Sequence, residues 1–398
     1  MFTKTSSPIL LAGFLAVALS SCKKDETTPI ETPAPSIGKF RTAVSYTSFN
    51  DSTPYKAAFV VAGDTTVDLA EGQDRYNMFR ALAAYNSSAN AATSTVVLDE
   101  NILKNMFVAA NAPFTGTYAY LNGSTVQLKN KTASSVSYAE AVRTTMESNF
   151  KKIAVSSQSF DKVASEGQAG KIKNASGSSY LIDEHGVEWG QVIAKSFIGA
   201  YQLDYICNVL LAEPSLSANN TKLVDGKKYS QLEYNWDQAF ANLTIRPYLY
   251  SNLVALPQPS SGESQLASYV WEYNKAGFPK MHAAFLKGRA AIVNGDKAVL
   301  TEQATFIRKQ CEYAIAASAL GYLKKVKDGA TDPGARAHAY GEGLGFIYSL
   351  RFCKLNGADA AFSDAILNDI DFNTTGIWQL TNAKVDVAMT KIKAKFNI

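Results

Sequence analysis

The chain has 398 residues, 46% of them apolar and 19% charged, with 39 Lys and Arg against 35 Asp and Glu for a formal charge of +4. That composition is that of a globular protein long enough to bury a sizeable core. The near balance of charge, with no basic tract, excludes the strongly positive surface that a nucleic-acid binder presents.

The first residues read as a targeting segment. Lys4 supplies a positive start, and residues 9–19 form an apolar run too short to stop in a membrane. The run ends in Leu19-Ser20-Ser21-Cys22. Small residues before a cysteine make a bacterial lipobox, in which the thiol of Cys22 takes the lipid and cleavage leaves it as the new N-terminus. Residues 1–21 are therefore expected to be a lipoprotein signal peptide and 22–38 a lipidated cysteine with a Thr/Pro/Glu-rich tether, which holds too little apolar surface to fold. Lys23-Lys24-Asp25-Glu26 resembles the export signal of surface-exposed Bacteroidetes lipoproteins. The expectation is an outer-membrane lipoprotein, at the cell surface or otherwise facing the periplasm.

Residues 39–398 then form one domain, predicted as mainly α, a helical bundle with a few short hairpins and loops. Helical spacing runs through "VDLAEGQDRYNMFRALAAYNSS", "DENILKNMFVAA" and "SYAEAVRTTMESNFKKIAVSS", the last with Ser137 as N-cap and Glu140 three residues on, a capping-box spacing. Residues 184–213 are apolar on nearly all sides, the mark of a helix inside a bundle. Residues 229–243, 278–295, 300–329 and 382–396 continue the series. Residues 55–63 and 116–130 have hairpin character, with Asn122-Gly123 as the turn. Residues 171–186 read as an excursion between helices, and 244–277 as a loop or two short helices. Apart from Cys22, the cysteines are Cys207, Cys311 and Cys353. Each stands alone in an apolar helical pattern, which predicts buried free thiols.

Four blocks carry a family likeness: "EGQDRYNMFRAL", "HGVEWGQVIAKSFIGAY", "LEYNWDQAFA" and "ARAHAYGEGLGFIYSLRF". In this order they resemble the DUF4856 family of Bacteroidetes lipoproteins, over nearly the whole mature chain. That family resembles in turn the imelysin-like (peptidase M75-like) proteins, which are helical and often associated with iron or haem uptake. Imelysins carry a Gly-x-His-x-x-Glu motif. Here His185 and Glu188 match its last two positions, while Asp183 replaces the glycine. The resemblance implies a ligand-binding component of iron or haem acquisition beside an outer-membrane TonB-dependent transporter. A metal-dependent imelysin-type peptidase, or an interaction lipoprotein without a small ligand, are the alternatives.

The residues themselves offer two constellations. His338 and Glu342 stand four apart and His185 and Glu188 three apart, so each pair shares a helix face. Convergence of the four would make a mixed imidazole and carboxylate metal site suited to iron, zinc or manganese, and the alternative is a structural hydrogen-bond network. Glu188, Arg289, Glu312, Arg336, Glu342 and Arg351 fall in apolar helical stretches and need partners if buried. They form either an internal ion network or a polar pocket for an anion such as a haem propionate, lined by Arg336, Trp236 and Asp237. Gly341, Gly343 and Gly345, with Gly186, Gly190 and Gly199, predict a close crossing of two helices. No His-Glu-x-x-His, P-loop or Gly-x-Ser-x-Gly elbow occurs.

Overall fold

A computed structural model describes residues 41–49, 53–243 and 263–398. The signal segment, Cys22 and the tether lie outside the described residues, as does 244–262 of the Pro/Ser/Gly-rich stretch.

The architecture is mainly α-helical, as the periodicity predicts. Helix α1 (Tyr55–Ala58) leads into a two-residue-per-strand hairpin, β1 (Val60–Val61) and β2 (Asp64–Thr65). Then follow α2 (Ala70–Ser87), α3 (Glu100–Val108) and α4 (Ala139–Ser157). A second antiparallel hairpin, β3 (Gly170–Lys173) and β4 (Ser179–Ile182), pairs Gly170 with Ile182 and Lys173 with Ser179. Helix α5 (Trp189–Phe197) continues into a wide π-helix, Ile198–Leu210, and α6 (Gln231–Leu243) follows. The C-terminal half holds α7 (Gln265–Tyr273), α8 (Phe278–Asn294), α9 (Lys297–Asp328), α10 (Pro333–Ser349), α11 (Ala360–Asp369) and α12 (Asn382–Phe396). Among the described residues no helix is long and apolar enough to cross a membrane.

Several helix starts are written in short polar side chains. Asp99, Asp296, Asp332, Asp359 and Thr381 each accept a backbone N–H from the first turn of α3, α9, α10, α11 and α12, satisfying donors the helix cannot. Pro333 follows Asp332 at the first helical position, where its missing N–H is not needed. Gly295 closes α8 in the left-handed conformation (φ 71°).

Three expectations need correction. Residues 116–130 are not a hairpin. Gly116–Gly123 and Lys129–Lys131 are 3-10 turns, and the Asn122 amide brackets Phe114 by accepting its N–H at 3.0 Å and donating to its carbonyl at 2.9 Å. That clasp removes the side chain from the hairpin turn that Asn-Gly suggests. Ser137 does not cap α4, which starts one residue later than that register requires, after Tyr138 with no side-chain cap. The long helix does not begin at residue 184: it begins at Trp189, because Gly186 takes φ 77° and Asp183 folds the chain into a turn. The stretch read as an excursion, 171–186, is largely the β3–β4 hairpin and this turn.

At the centre, α10 lies between α5 and α9, α9 packs also on α8, and α6 joins α2 to the π-helix. From Ala339 to Ser349 every residue of α10 is buried. The glycines explain how. A Cβ on Gly341 would stand 3.0 Å from the Glu188 carbonyl oxygen, and one on Gly345 would stand 2.9 Å from that of Val192, so α5 lies against the bare backbone of α10. Gly199 makes the same approach to Ser349, while Gly343 faces α9, where Tyr322 stands at an ordinary 3.6 Å. Gly190 faces Ile153 of α4 rather than α10.

The π-helix is a rare conformation, and such segments occur frequently at functional sites. Two of its polar side chains bond neighbouring backbone: Gln202 donates to the Asn242 carbonyl at 2.8 Å and accepts the Leu266 N–H at 3.0 Å, while Asp204 accepts the Ser135 N–H at 2.9 Å. Cys207, Cys311 and Cys353 are buried free thiols, as the spacing predicts. Cys207 lies close enough to Cys311 to hydrogen-bond it, and burial raises its pKa well above the ordinary thiol value.

Candidate functional site

Two places bring the sequence candidates together. The first is the contact of α5 with α10. The His338 Nδ1 meets Glu188 Oε2 at 2.6 Å, and its Nε2 stands 3.5 Å from Glu342 Oε2. Glu342 reaches Lys195 at 3.1 Å. Glu188, fully buried, accepts a second bond from the Asn90 amide at 2.9 Å. Tyr180 of β4 stacks on the imidazole at 4.3 Å. With His338 protonated, two carboxylates balance one ammonium and one imidazolium. Burial works against the charged ring, but the hydrogen bond and charge of Glu188 and the charge of Glu342 outweigh it, and the His338 pKa is raised.

This arrangement is a closed clasp between α5 and α10. Glu188 and His338 bond each other directly, so the His338 Nδ1 and both Glu188 oxygens are already engaged. His185 does not join them. It sits in the turn before α5, with its side chain 46% exposed and its ring 3.6 Å from Glu184. The helix that was to place His185 and Glu188 on one face has not yet begun there. Among the described residues, the set with metal-ligand spacing is Asp183, Glu184 and His185. The Asp183 oxygens are already taken, by the N–H groups of His185 (2.9 Å) and Val187 (2.8 Å) and by the Trp189 indole (2.7 Å), so this carboxylate builds the turn.

The pocket-lining residues divide. Trp236 and Asp237 are wholly buried. The Trp236 indole donates to the Phe285 carbonyl at 2.9 Å, and Asp237 accepts from Arg289 at 3.0 Å and Tyr55 at 2.9 Å. Arg289 also pairs with Glu233 at 2.6 Å, which Arg41 approaches from the other side at 2.6 Å. Burial and the nearby Glu233 push Asp237 up to about 7 against the pull of Arg289. Arg336 donates to the Leu380 carbonyl. Arg351 pairs with Asp364 at 2.7 Å, and Glu312 is held by the N–H of Leu355 at 2.9 Å and the amide of Asn356 at 2.7 Å. These charges thus form separate groups, each with its own partners, rather than one pocket.

The second place is a groove beside α4, of about 470 Å³, which continues into a neighbouring cavity of about 400 Å³. Ser148, Lys151, Lys152 and Val155 line one side at the i, i+3, i+4, i+7 spacing of a single helix face. Opposite stand His185 on its turn, Trp189, and the segment Phe372–Thr374. Lys152 lies 4.1 Å over the Trp189 ring, a cation–π contact. The turn is pinned from behind: the Ile377 N–H donates to the His185 carbonyl at 3.1 Å and the Trp378 indole to that of Glu184 at 2.9 Å. An exposed imidazole therefore stands at a fixed position on the wall of a cleft that also offers two cations and aromatic faces.

Sequence reasoning missed Lys195, Asn90 and Tyr180 in the clasp, and Lys151, Lys152 and Trp189 in the groove. Lys195 was legible, since it lies seven residues after Glu188 on the same helix face. Lys151 and Lys152 announce nothing by themselves, as adjacent lysines on an amphipathic helix are ordinary.

No curated protein and no solved structure matches the chain. A family model, that of a domain of unknown function, matches residues 54–398, which covers every helix described above. The chain belongs to the DUF4856 family.

Proposed function

We propose that the protein is a lipid-anchored, non-enzymatic binding protein of the cell envelope, and that the α4 groove holds its ligand. The observation that carries this reading is the meeting of His185, Lys151, Lys152 and Trp189 on one cleft of about 470 Å³, while the buried His338 cluster engages its own ligating atoms. Val187, Trp189 and Phe372 with Lys151 and Lys152 suit a ligand with a flat apolar body and acid groups, while the acids of the lining, Asp183 and Glu184, lie on the His185 turn. Haem is such a ligand and the first to test, in keeping with a role in iron or haem acquisition beside an outer-membrane transporter. In that case the His185 imidazole would take the iron, and Lys151 and Lys152 the propionates. The anchoring half of the proposal rests on the lipobox ending at Cys22.

The test is a titration of the purified protein with haem, read by absorbance, together with elemental analysis for iron and zinc. Saturable one-to-one haem binding supports the reading. An absence of haem binding, or a stoichiometric metal bound without haem, contradicts it.

A further inference from the structure

Arg75, on α2, is buried but incompletely satisfied. Its Nη2 donates to Glu71 at 3.1 Å, yet Nε and Nη1 have no partner and are shielded from solvent. Buried guanidinium N–H groups left without an acceptor are rare and call for an explanation. A second cation stands close by. Lys131 makes no ion pair among the described residues, and its ammonium lies 5.0 Å over the ring of Tyr205, while the Arg75 guanidinium lies 5.9 Å over the same ring. Tyr205 is presented by the π-helix and is itself buried. Burial and the neighbouring Arg75 charge lower the Lys131 pKa, with Glu71 opposing them. Glu71 is the one carboxylate bonded to Arg75, and its charge also helps raise the Tyr234 pKa. Two cations against one half-exposed acid leave an excess of positive charge beside the buried guanidinium of Arg75.

We propose that Arg75 and Lys131 form a binding site for an oxyanion, the carboxylate or phosphate group of a small ligand, seated against Tyr205. The planar guanidinium offers the free N–H groups that a two-oxygen acceptor fits, and Lys131 adds a movable point charge. Lys131 is partly exposed, so the anion enters from its side, and the lysine side chain shifts to admit it to Arg75. The site is separate from the α4 groove and does not depend on the ligand proposed there.

The experiment is isothermal titration of the purified protein with inorganic phosphate and, separately, with acetate, at constant ionic strength. Saturable binding of at least one anion is expected, weakened at least tenfold in Lys131→Met and in Arg75→Met. Arg80→Met, five residues on along the same helix with its guanidinium at Asn77 and Tyr76, is expected to bind as the parent does. If Arg75→Met does not fold, Lys131→Met carries the comparison, since its side chain is partly exposed. No saturable binding of either probe, or equal affinity in Lys131→Met, would overturn the proposal. The relative affinity for the two probes assigns the group to phosphate or carboxylate.

Discussion

The imidazole of His338 and the carboxylate of Glu188 meet at 2.6 Å across 150 positions of sequence, and this bond fastens α10 to the start of α5. It lies beside the point where Gly341 lets the two backbones touch. Charge pairing and close packing therefore reinforce one another at a single helix crossing.

The clasp makes stability depend on pH in a defined direction. The native His338 pKa is raised above the ordinary histidine value of about 6.5. Its contribution is full below that unfolded value, where both states are protonated, and is lost as pH rises through the native value. Urea unfolding between pH 6 and 9 should show stability falling with pH in the parent, and a flatter profile in His338→Gln and Glu188→Gln. Asp237, raised to about 7, adds a slope of the same sign between about pH 4 and 7. The difference between parent and His338→Gln isolates the clasp.

The glycines of α10 should separate by what each faces. Alanine at Gly345 gains helix propensity of about 1 kcal/mol, but its Cβ would press within 2.9 Å of the Val192 carbonyl oxygen. Overpacking against backbone costs about 1–3 kcal/mol, so Gly345→Ala should destabilise. At Gly343 the nearest atom is Tyr322 Cβ at 3.6 Å, an ordinary contact. Gly343→Ala should therefore be neutral or stabilising by up to about 1 kcal/mol. Thermal melts of the two variants test the difference in sign.

Arg289 is the counter-charge for two buried acids, Glu233 at 2.6 Å and Asp237 at 3.0 Å. Replacing it with methionine leaves Asp237 without a cation and Glu233 with Arg41 alone. A loss of about 3–5 kcal/mol is expected for breaking such a group from one side. A urea midpoint shifted to match, at unchanged slope, is the check. Asp237→Asn in the same protein should lose less, because Arg289 keeps Glu233.

The sequence made the helical architecture plain, since apolar spacing and aspartate caps are local signals. It also pointed to α10 and α5 as a close pair through their glycines, and to His338, Glu188 and Glu342 as neighbours. It misplaced His185, because residues three apart share a face only where a helix exists, and Gly186 with Asp183 makes a turn there instead. It misread Trp236 and Asp237 as pocket walls, because an aromatic beside an acid looks alike in a cleft and in a core until Arg289 is seen to fill the acid. The α4 groove was not legible at all. It is assembled from α4, the 183–187 turn and the 372–374 segment, which no spacing in the chain connects.

On the proposed reading the groove, and not the clasp, is where a ligand binds. Haem titration of Lys152→Glu and His185→Ala, beside His338→Gln checked for retained helicity, tests it most directly. At least tenfold weaker binding in the two groove variants and parental affinity in His338→Gln are expected. Loss of binding in His338→Gln with the groove variants unaffected would contradict it and move the site to the α5–α10 crossing.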